Sequence, residues 1–251
     1  MIADPTWQTV PRSLALQANE VHVWRAGLDV DPVTLGLCRD TLSTEELARA
    51  ERFHSAVHKD HYTAGRGILR SLLARYLGVP ARDLRFCVNA HGKPALDVGS
   101  RPTDLHFNLS HSHGLALFAF TSCGEVGVDV EYVRPSLREM DLAERFFSPQ
   151  EVAALRTLSQ SSQREMFFQC WTRKEAYIKA RGAGLSISLA SFTVSLAPDT
   201  LTPLPIMGHD GPEAGQWWLR PLAPGEGYVG AVAAEEADWA LTLWQYEPEG
   251  K

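Results

Sequence analysis

Only four of the 251 residues are cysteine, and Cys38, Cys87, Cys123 and Cys170 stand far apart with no C-x-x-C pair among them. That spacing excludes a zinc ribbon and a disulfide framework, and it fits a reduced, cytoplasmic setting. Long apolar runs are missing too. No stretch approaches the ~20 residues needed to cross a bilayer, and the first residues bring Asp4 and Pro5 where a leader would be basic and then apolar. Neither secretion nor membrane insertion is expected. Positive charge is not in excess: 24 Lys and Arg face 30 Asp and Glu, a formal charge of −6. Nonspecific nucleic-acid binding, which needs clustered cations, is therefore not expected. No low-complexity segment interrupts the chain. What remains is a globular composition, 45% hydrophobic and 22% charged, enough for one large or two small cores.

Two stretches organise this chain. In Trp171-Thr172-Arg173-Lys174-Glu175-Ala176-Tyr177-Ile178-Lys179-Ala180, helical spacing puts Trp171, Glu175 and Lys179 on one face, while Lys174 points about 100° away from Glu175. Some forty residues earlier, Gly127-Val128-Asp129-Val130-Glu131 reads as a strand. Its two carboxylates leave one side of the sheet and its valines bury on the other. Three carboxylates converging on one point repel unless a cation lies between them. Taken alone, a Lys-Glu-x-x-x-Lys run is a solvated helix face with an ion pair worth ~0.2–0.5 kcal/mol. The conjunction with Asp129 and Glu131 is what points to a site. Trp171 fits either a packing plate or a ligand contact.

The pairing of these stretches, in this order and at this separation, resembles the 4′-phosphopantetheinyl transferases, most of all the long, monomeric surfactin-synthetase type. The resemblance runs from about residue 40 to 195 and takes in Phe107-Asn108-Leu109-Ser110-His111-Ser112 and Gly92-Lys93-Pro94. It implies an α/β (α+β) fold of two similar halves related by a pseudo-twofold. It also implies transfer of the phosphopantetheine arm of coenzyme A to a serine of an apo acyl or peptidyl carrier protein, releasing adenosine 3′,5′-bisphosphate. Mg²⁺, with Mn²⁺ as a substitute, would take oxygen ligands from Asp129, Glu131 and Glu175. Glu175 would accept the serine proton directly or through a water, and Lys179 would stabilise charge on the diphosphate. Coenzyme A contacts are expected from Lys59, Arg66, Gly92, Lys93, Ser110, His111, Lys174 and Lys179, with His111 facing the 3′-phosphate. Family members commonly carry firmer cations where this chain has His58, Lys59, Asp60 and His61, so coenzyme A affinity is expected to weaken as pH rises through the histidine range. Carrier proteins are usually acidic, so their docking surface should be apolar or locally basic, and Leu185–Leu189 is either part of it or core.

Other readings stand beside this one. His106, His111 and His113 raise zinc, although no H-E-x-x-H or cysteine partner lies near. A metal-dependent diphosphate hydrolase could use the same carboxylates, and an idle coenzyme A or carrier-binding module would need no such trio.

Along the chain, residues 1–20 read as irregular and Val21–Trp24 as a strand. Ser43 and Glu46 form a capping box for a helix, a second helix spans about 58–77, and strands follow at 85–89, 106–109 and 115–121. The order then recurs. Ser148, Pro149 and Glu151 repeat the start signal 105 residues after Ser43, while Leu73–Gly78 aligns with Lys179–Gly184, and Phe86–Val88 with Phe192–Val194, at a shift of 106. The expected halves are residues 1–124, for the 3′-phosphate and adenine, and 125–251, for metal, diphosphate and carrier. The cleft between them would hold the site. The tail from 196 to 227 reads as loop, with closing strands at 227–234 and 239–246.

Overall fold

The computed structural model describes residues 6–11, 14–97, 103–134, 138–196, 204–205, 217–235 and 238–248. In the first half, strand β1 (Glu20–Gly27) leads to helices α1 (Pro32–Asp40), α2 (Thr44–Ala50) and α3 (Ala56–Leu77). Strands β2 (Phe86–Val88), β3 (Pro94–Leu96), β4 (His106–Ser112) and β5 (Leu115–Thr121) follow. The second half repeats this order: β6 (Val126–Tyr132), α4 (Glu139–Phe146), α5 (Pro149–Arg156), α6 (Gln160–Arg181), then β7 (Leu204–Pro205), β8 (Trp217–Gly225), β9 (Tyr228–Glu235) and β10 (Ala240–Gln245).

Both expected capping boxes form, Ser43 with Glu46 and Ser148 with Glu151. The helices α3 and α6 are each 22 residues long and each stops on a left-handed glycine, Gly78 and Gly182. Those glycines lie 104 residues apart, so the shift of 106 expected for Leu73–Gly78 is two too large at the helix end. The second half absorbs the difference in the turn before Phe192.

Strand alternation sorts the core into layers. Trp24, Ala26, Phe118 and Phe120 face α3, whereas Val21, Val23, Leu117 and Ala119 turn the other way and meet Val126, Val128, Val130, Val232 and Ala234 of the second sheet. The opposite face of that second sheet, through Leu219, Ala231 and Ala233, packs on α6. The strand orders are β10-β1-β5-β4 and β6-β9-β8-β7, with β2-β3 as a separate hairpin. β10 runs parallel to β1, Leu243 opposite Val23, so the closing strand of residues 125–251 belongs to the sheet of the first half.

Other elements depart from the expectation. β8 lies inside the tail read as loop; Pro221 and Pro224 disguised it. Among the described residues β7 pairs with β8 at Leu219 and Trp218, and on its other side β8 pairs with β9, Pro221 opposite Ala231. The tail segments 197–203 and 206–216 lie outside the described residues. Helices α1 and α4 had no sequence expectation, although Asp31 caps α1 through the amides of Val33 and Thr34 and Pro32 opens it. No helix among the described residues is long and apolar enough to cross a membrane.

Candidate active site

β4 and β6 are the facing edges of the two sheets, and β4 side chains cover the free backbone edge of β6. Alternation points Asn108, Ser110 and Ser112 the same way. Asn108 Oδ1 accepts from Val128 N (3.0 Å), and Ser112 Oγ accepts from Tyr132 N (3.2 Å) while donating to Glu131 Oε2 (2.9 Å). Ser110 Oγ donates to Asp129 Oδ1 at 2.8 Å. The serine-histidine-serine run thus orients both strand carboxylates. The sequence reading singled out Ser110 there but gave Asn108 and Ser112 no role, though their period of two was visible.

α6 carries the other partner of Asp129. Lys179 Nζ donates to Asp129 Oδ1 (2.6 Å) and to Ser110 Oγ (2.8 Å). Gly127 explains why the helix comes so close: a Cβ there would run into Ala176 O and Ala180 N, and lie 2.9 Å from Ala180 Cα. Those are backbone atoms and cannot swing aside. Gly127→Ala should cost about 1–3 kcal/mol through forced separation of β6 and α6. In a thermal melt this reads as a drop of several degrees, and an unchanged melting temperature would refute the close-packing account.

Asp129 is 4% exposed and its Oδ2 has no hydrogen-bond partner among the described residues. Burial, and then the charge of Asp129, raises the Glu131 carboxyl above its ordinary range. Glu175 is pushed up to about 7, by burial first and then by Asp129 and Glu131, with Lys179 opposing. Among the described residues no three His, Cys, Asp or Glu side chains form a ready chelate. An orphaned carboxylate oxygen, electrostatically coupled to two carboxyls of raised pKa, is nevertheless a donor set short of positive charge. Oxygen-only donors of this kind fit a hard cation such as Mg²⁺.

A cleft leads away from this cluster. A cavity of about 260 Å³ is lined by Glu175, Ile178 and Lys179 on one wall and Gly92, Pro94 and Leu109 on another. The last three also line a neighbouring cavity of about 440 Å³ that holds Arg49, His61, Arg66 and His111. Arg66 is paired with Glu46 and lies 4.6 Å over the Phe86 ring. His61 is bonded to Asp29 at 2.8 Å. The His111 ring is held below its ordinary pKa by surrounding protein and by Lys179, His61 and His58. Arg49, Tyr62 and Phe53 line the cavity although the sequence reading passed them over. Their only sequence signal was a basic and aromatic scatter either side of the α2–α3 turn.

Several expectations are corrected. Lys174 is fully buried, its ammonium bound to Glu151 Oε2 (2.8 Å), Leu189 O (2.7 Å) and Phe192 O (2.6 Å), so all three donors are spent inside the second half. Lys93 lines the cavity that holds Glu175 and Lys179, but its ammonium is bound to Glu125 Oε2, Ala180 O and Val126 O, and its neighbours Gly92 and Pro94 open to both cavities. Lys59 is held by Glu51 at 2.6 Å and does not line the cleft. The three histidines weighed for zinc disperse: His106 faces Glu125, His111 lines the cleft, and His113 turns at φ 50° onto Tyr132. Trp171 is a packing plate, stacked on Phe167 at 5.9 Å and edge-on to Phe146 at 6.0 Å. Of Leu185–Leu189, Ile187 and Leu189 join the core of the second half.

A profile of the 4′-phosphopantetheinyl transferase superfamily matches residues 125–233, and one of the N-terminal part of 4′-phosphopantetheinyl transferases matches residues 32–122. The 4′-phosphopantetheinyl transferase HetI of Nostoc is 41% identical over 96% of this chain and 98% of its own. The 4′-phosphopantetheinyl transferase Sfp of Bacillus subtilis is 30% identical over 82% of this chain and 88% of its own. The crystal structure of holo-[acyl-carrier-protein] synthase from Thermotoga maritima aligns at 22% identity over 45% of this chain and 64% of that one, with a TM-score of 0.35. With its strand carboxylates, its α6 lysine and near full-length kinship to HetI, this chain belongs to the 4′-phosphopantetheinyl transferase superfamily.

Proposed function

We propose that this protein transfers 4′-phosphopantetheine from coenzyme A to a serine of an apo acyl or peptidyl carrier protein, with Mg²⁺ held by Asp129, Glu131 and Glu175, and that Mn²⁺ can replace it. The observation that carries the reading is the Lys179–Asp129–Ser110 cluster beside Glu175, at one end of a cleft whose other end holds Arg49, Arg66, His61 and His111. A diphosphate at the first end and a 3′-phosphate at the second is the charge pattern of coenzyme A. Residues 1–124 would then serve the adenine and 3′-phosphate, and residues 125–251 the diphosphate, metal and carrier. The enzyme works as a monomer in the cytoplasm.

In the reaction, the serine oxygen forms a bond to the phosphorus carrying pantetheine, and the bond from that phosphorus to the bridging oxygen breaks. That oxygen leaves with adenosine 3′,5′-bisphosphate. Glu175 takes the serine proton directly or through a water; its raised pKa belongs to the metal-free site, and a bound cation would hold it as the carboxylate. Lys179 has one ammonium in reach of the transferred charge and steadies Asp129 as the charge moves. Ser110 and Ser112 fix the carboxylate rotamers that a ligand meets. When bound, Mg²⁺ supplies Lewis acidity and neutralises the diphosphate.

Intact-mass analysis of an apo carrier protein, incubated with this protein, coenzyme A and Mg²⁺, tests the reading. Gain of one phosphopantetheine, abolished by chelator, is expected. Coenzyme A cleaved without transfer would instead indicate a diphosphate hydrolase. Coenzyme A bound but unaltered with every carrier tried would indicate a binding module.

A further inference from the structure

We propose that Lys93 is a positioning residue whose ammonium clamps the β2–β3 hairpin to both elements of the second half that carry the site. This rests on the transferase reading above. The geometry is a three-way tie. Lys93 Nζ donates to Glu125 Oε2 (2.5 Å), to Val126 O (3.2 Å) just ahead of the Asp129 strand, and to Ala180 O (2.8 Å) just after Lys179 on α6. An ammonium has three donors, and here each has an acceptor on the other half of the molecule.

The hairpin turn is built to deliver that lysine. Asn89 Oδ1 accepts from the amides of His91 and Lys93, both at 2.9 Å, and Asn89 Nδ2 donates to Gly182 O at 2.7 Å. The turn is therefore pinned twice to the last turn of α6. Gly182, at φ 61°, permits the approach: a Cβ there would lie 2.9 Å from Asn89 Nδ2 and 3.1 Å from Lys93 Cδ. Glu125 is itself anchored, by His106 at 3.2 Å, and its backbone amide donates to Glu235 Oε2 at 3.1 Å. The Lys93 side chain is 13% exposed; the residue lines the cavity of Glu175 and Lys179 while its ammonium is spent on the three acceptors.

Next to this clamp Gly92 and Pro94 form the wall shared by both cavities, facing Glu175 and Lys179. One side chain thus sets the spacing between the wall against which a ligand lies and the groups that act on it. Misplacement of such groups by about 1 Å costs about 10²-fold in rate.

The test uses Lys93→Met and the milder Asn89→Asp, which keeps the turn acceptor but removes the donor to Gly182. Both are assayed for carrier modification well below their melting temperatures. Expected is a fall in kcat of about 10²-fold for Lys93→Met and a smaller fall for Asn89→Asp, with partial rescue in Lys93→Arg. Raised KM for coenzyme A at unchanged kcat would mean that Lys93 merely binds ligand, and lowered melting temperature with both constants unchanged would mean that it merely stabilises; either overturns the proposal. Amide hydrogen exchange supplies a readout independent of activity: protection should fall in residues 89–93 and 178–182 together in Lys93→Met. Unchanged protection there refutes the clamp even if the parent protein transfers nothing, whereas an inactive parent with the expected exchange pattern counts against the transferase reading alone.

Discussion

A Glu175→Gln protein should lose at least about 10²–10³-fold in kcat for carrier modification and yet melt at a higher temperature than the parent at pH 8 in the absence of metal. The two effects share one cause. Burial and the neighbouring Asp129 and Glu131 hold the Glu175 carboxyl at about 7, above the ordinary 4.5. The folded protein therefore prefers the protonated acid, and this preference favours folding fully below the unfolded pKa. It is lost as pH rises from about 4.5 through 7. At pH 8 the folded parent carries a carboxylate it disfavours, at a cost on the order of 2 kcal/mol once solvent screening is allowed for. Glutamine removes that cost. The melting gap should be small near pH 5 and grow to about 4–8 °C at pH 8. Saturating Mg²⁺ should raise the parent's melting temperature and leave the variant's nearly unchanged. A variant that melts no higher than the parent at pH 8 without metal would refute this picture of a charge-deficient site.

The signals that were legible in the sequence are the local ones. Capping boxes at Ser43 and Ser148 need only four consecutive residues, and both form. The alternation of Val128, Asp129, Val130 and Glu131 likewise needs only a strand. Lys93 and Lys174 were expected at coenzyme A, whereas the acceptors that take their ammonium groups come from elsewhere in the chain. Glu125 and Ala180 hold Lys93, and Glu151 with two loop carbonyls holds Lys174. No local pattern announces such a meeting. β8 was hidden by its own prolines, Pro221 and Pro224, which read as loop residues.

The repeat extends further than the sequence showed, and it explains why the molecule has its site on one side. Trp24 stands 105 residues before Asp129, the separation of the capping serines Ser43 and Ser148, and each faces the long helix of its half. There the space is closed by rings: Tyr76 Oη meets His22 Nδ1 at 2.8 Å and Trp24 Nε1 at 2.9 Å, and Trp244 packs on both. Arg75, 104 residues before Lys179, lies 5.7 Å over the Trp24 ring where Lys179 meets a carboxylate. The same scaffold position buries aromatics in one half and charges in the other.

Beneath those positions both halves use one device, and it yields the prediction with the largest effect on stability. The capping-box glutamate of the short helix pairs with a cation of the long helix, which donates onward to two carbonyls of the following loop. In the first half these are Glu46 and Arg70, with Ala81 O and Leu84 O. In the second they are Glu151 and Lys174, with Leu189 O and Phe192 O. Removing one member of a buried pair costs about 3–5 kcal/mol, because the partner's charge stays behind uncompensated. Lys174→Met should cost this much and lower the melting temperature by about 10 °C or more. Arg70→Met should cost distinctly less, because Glu46 keeps Arg66 at 2.5 Å, whereas Glu151 is 1% exposed and left with the backbone amides of Ser148 and Val194 and the Cys170 thiol. Glu151→Gln combined with Lys174→Met should recover part of the loss, since no charge then remains buried there. Differential scanning calorimetry of the four proteins decides the matter. Equal losses at Lys174 and Arg70 would refute the role assigned to Arg66, and a Lys174→Met protein melting like the parent but with kcat/KM for coenzyme A down about 10²-fold would return Lys174 to the ligand.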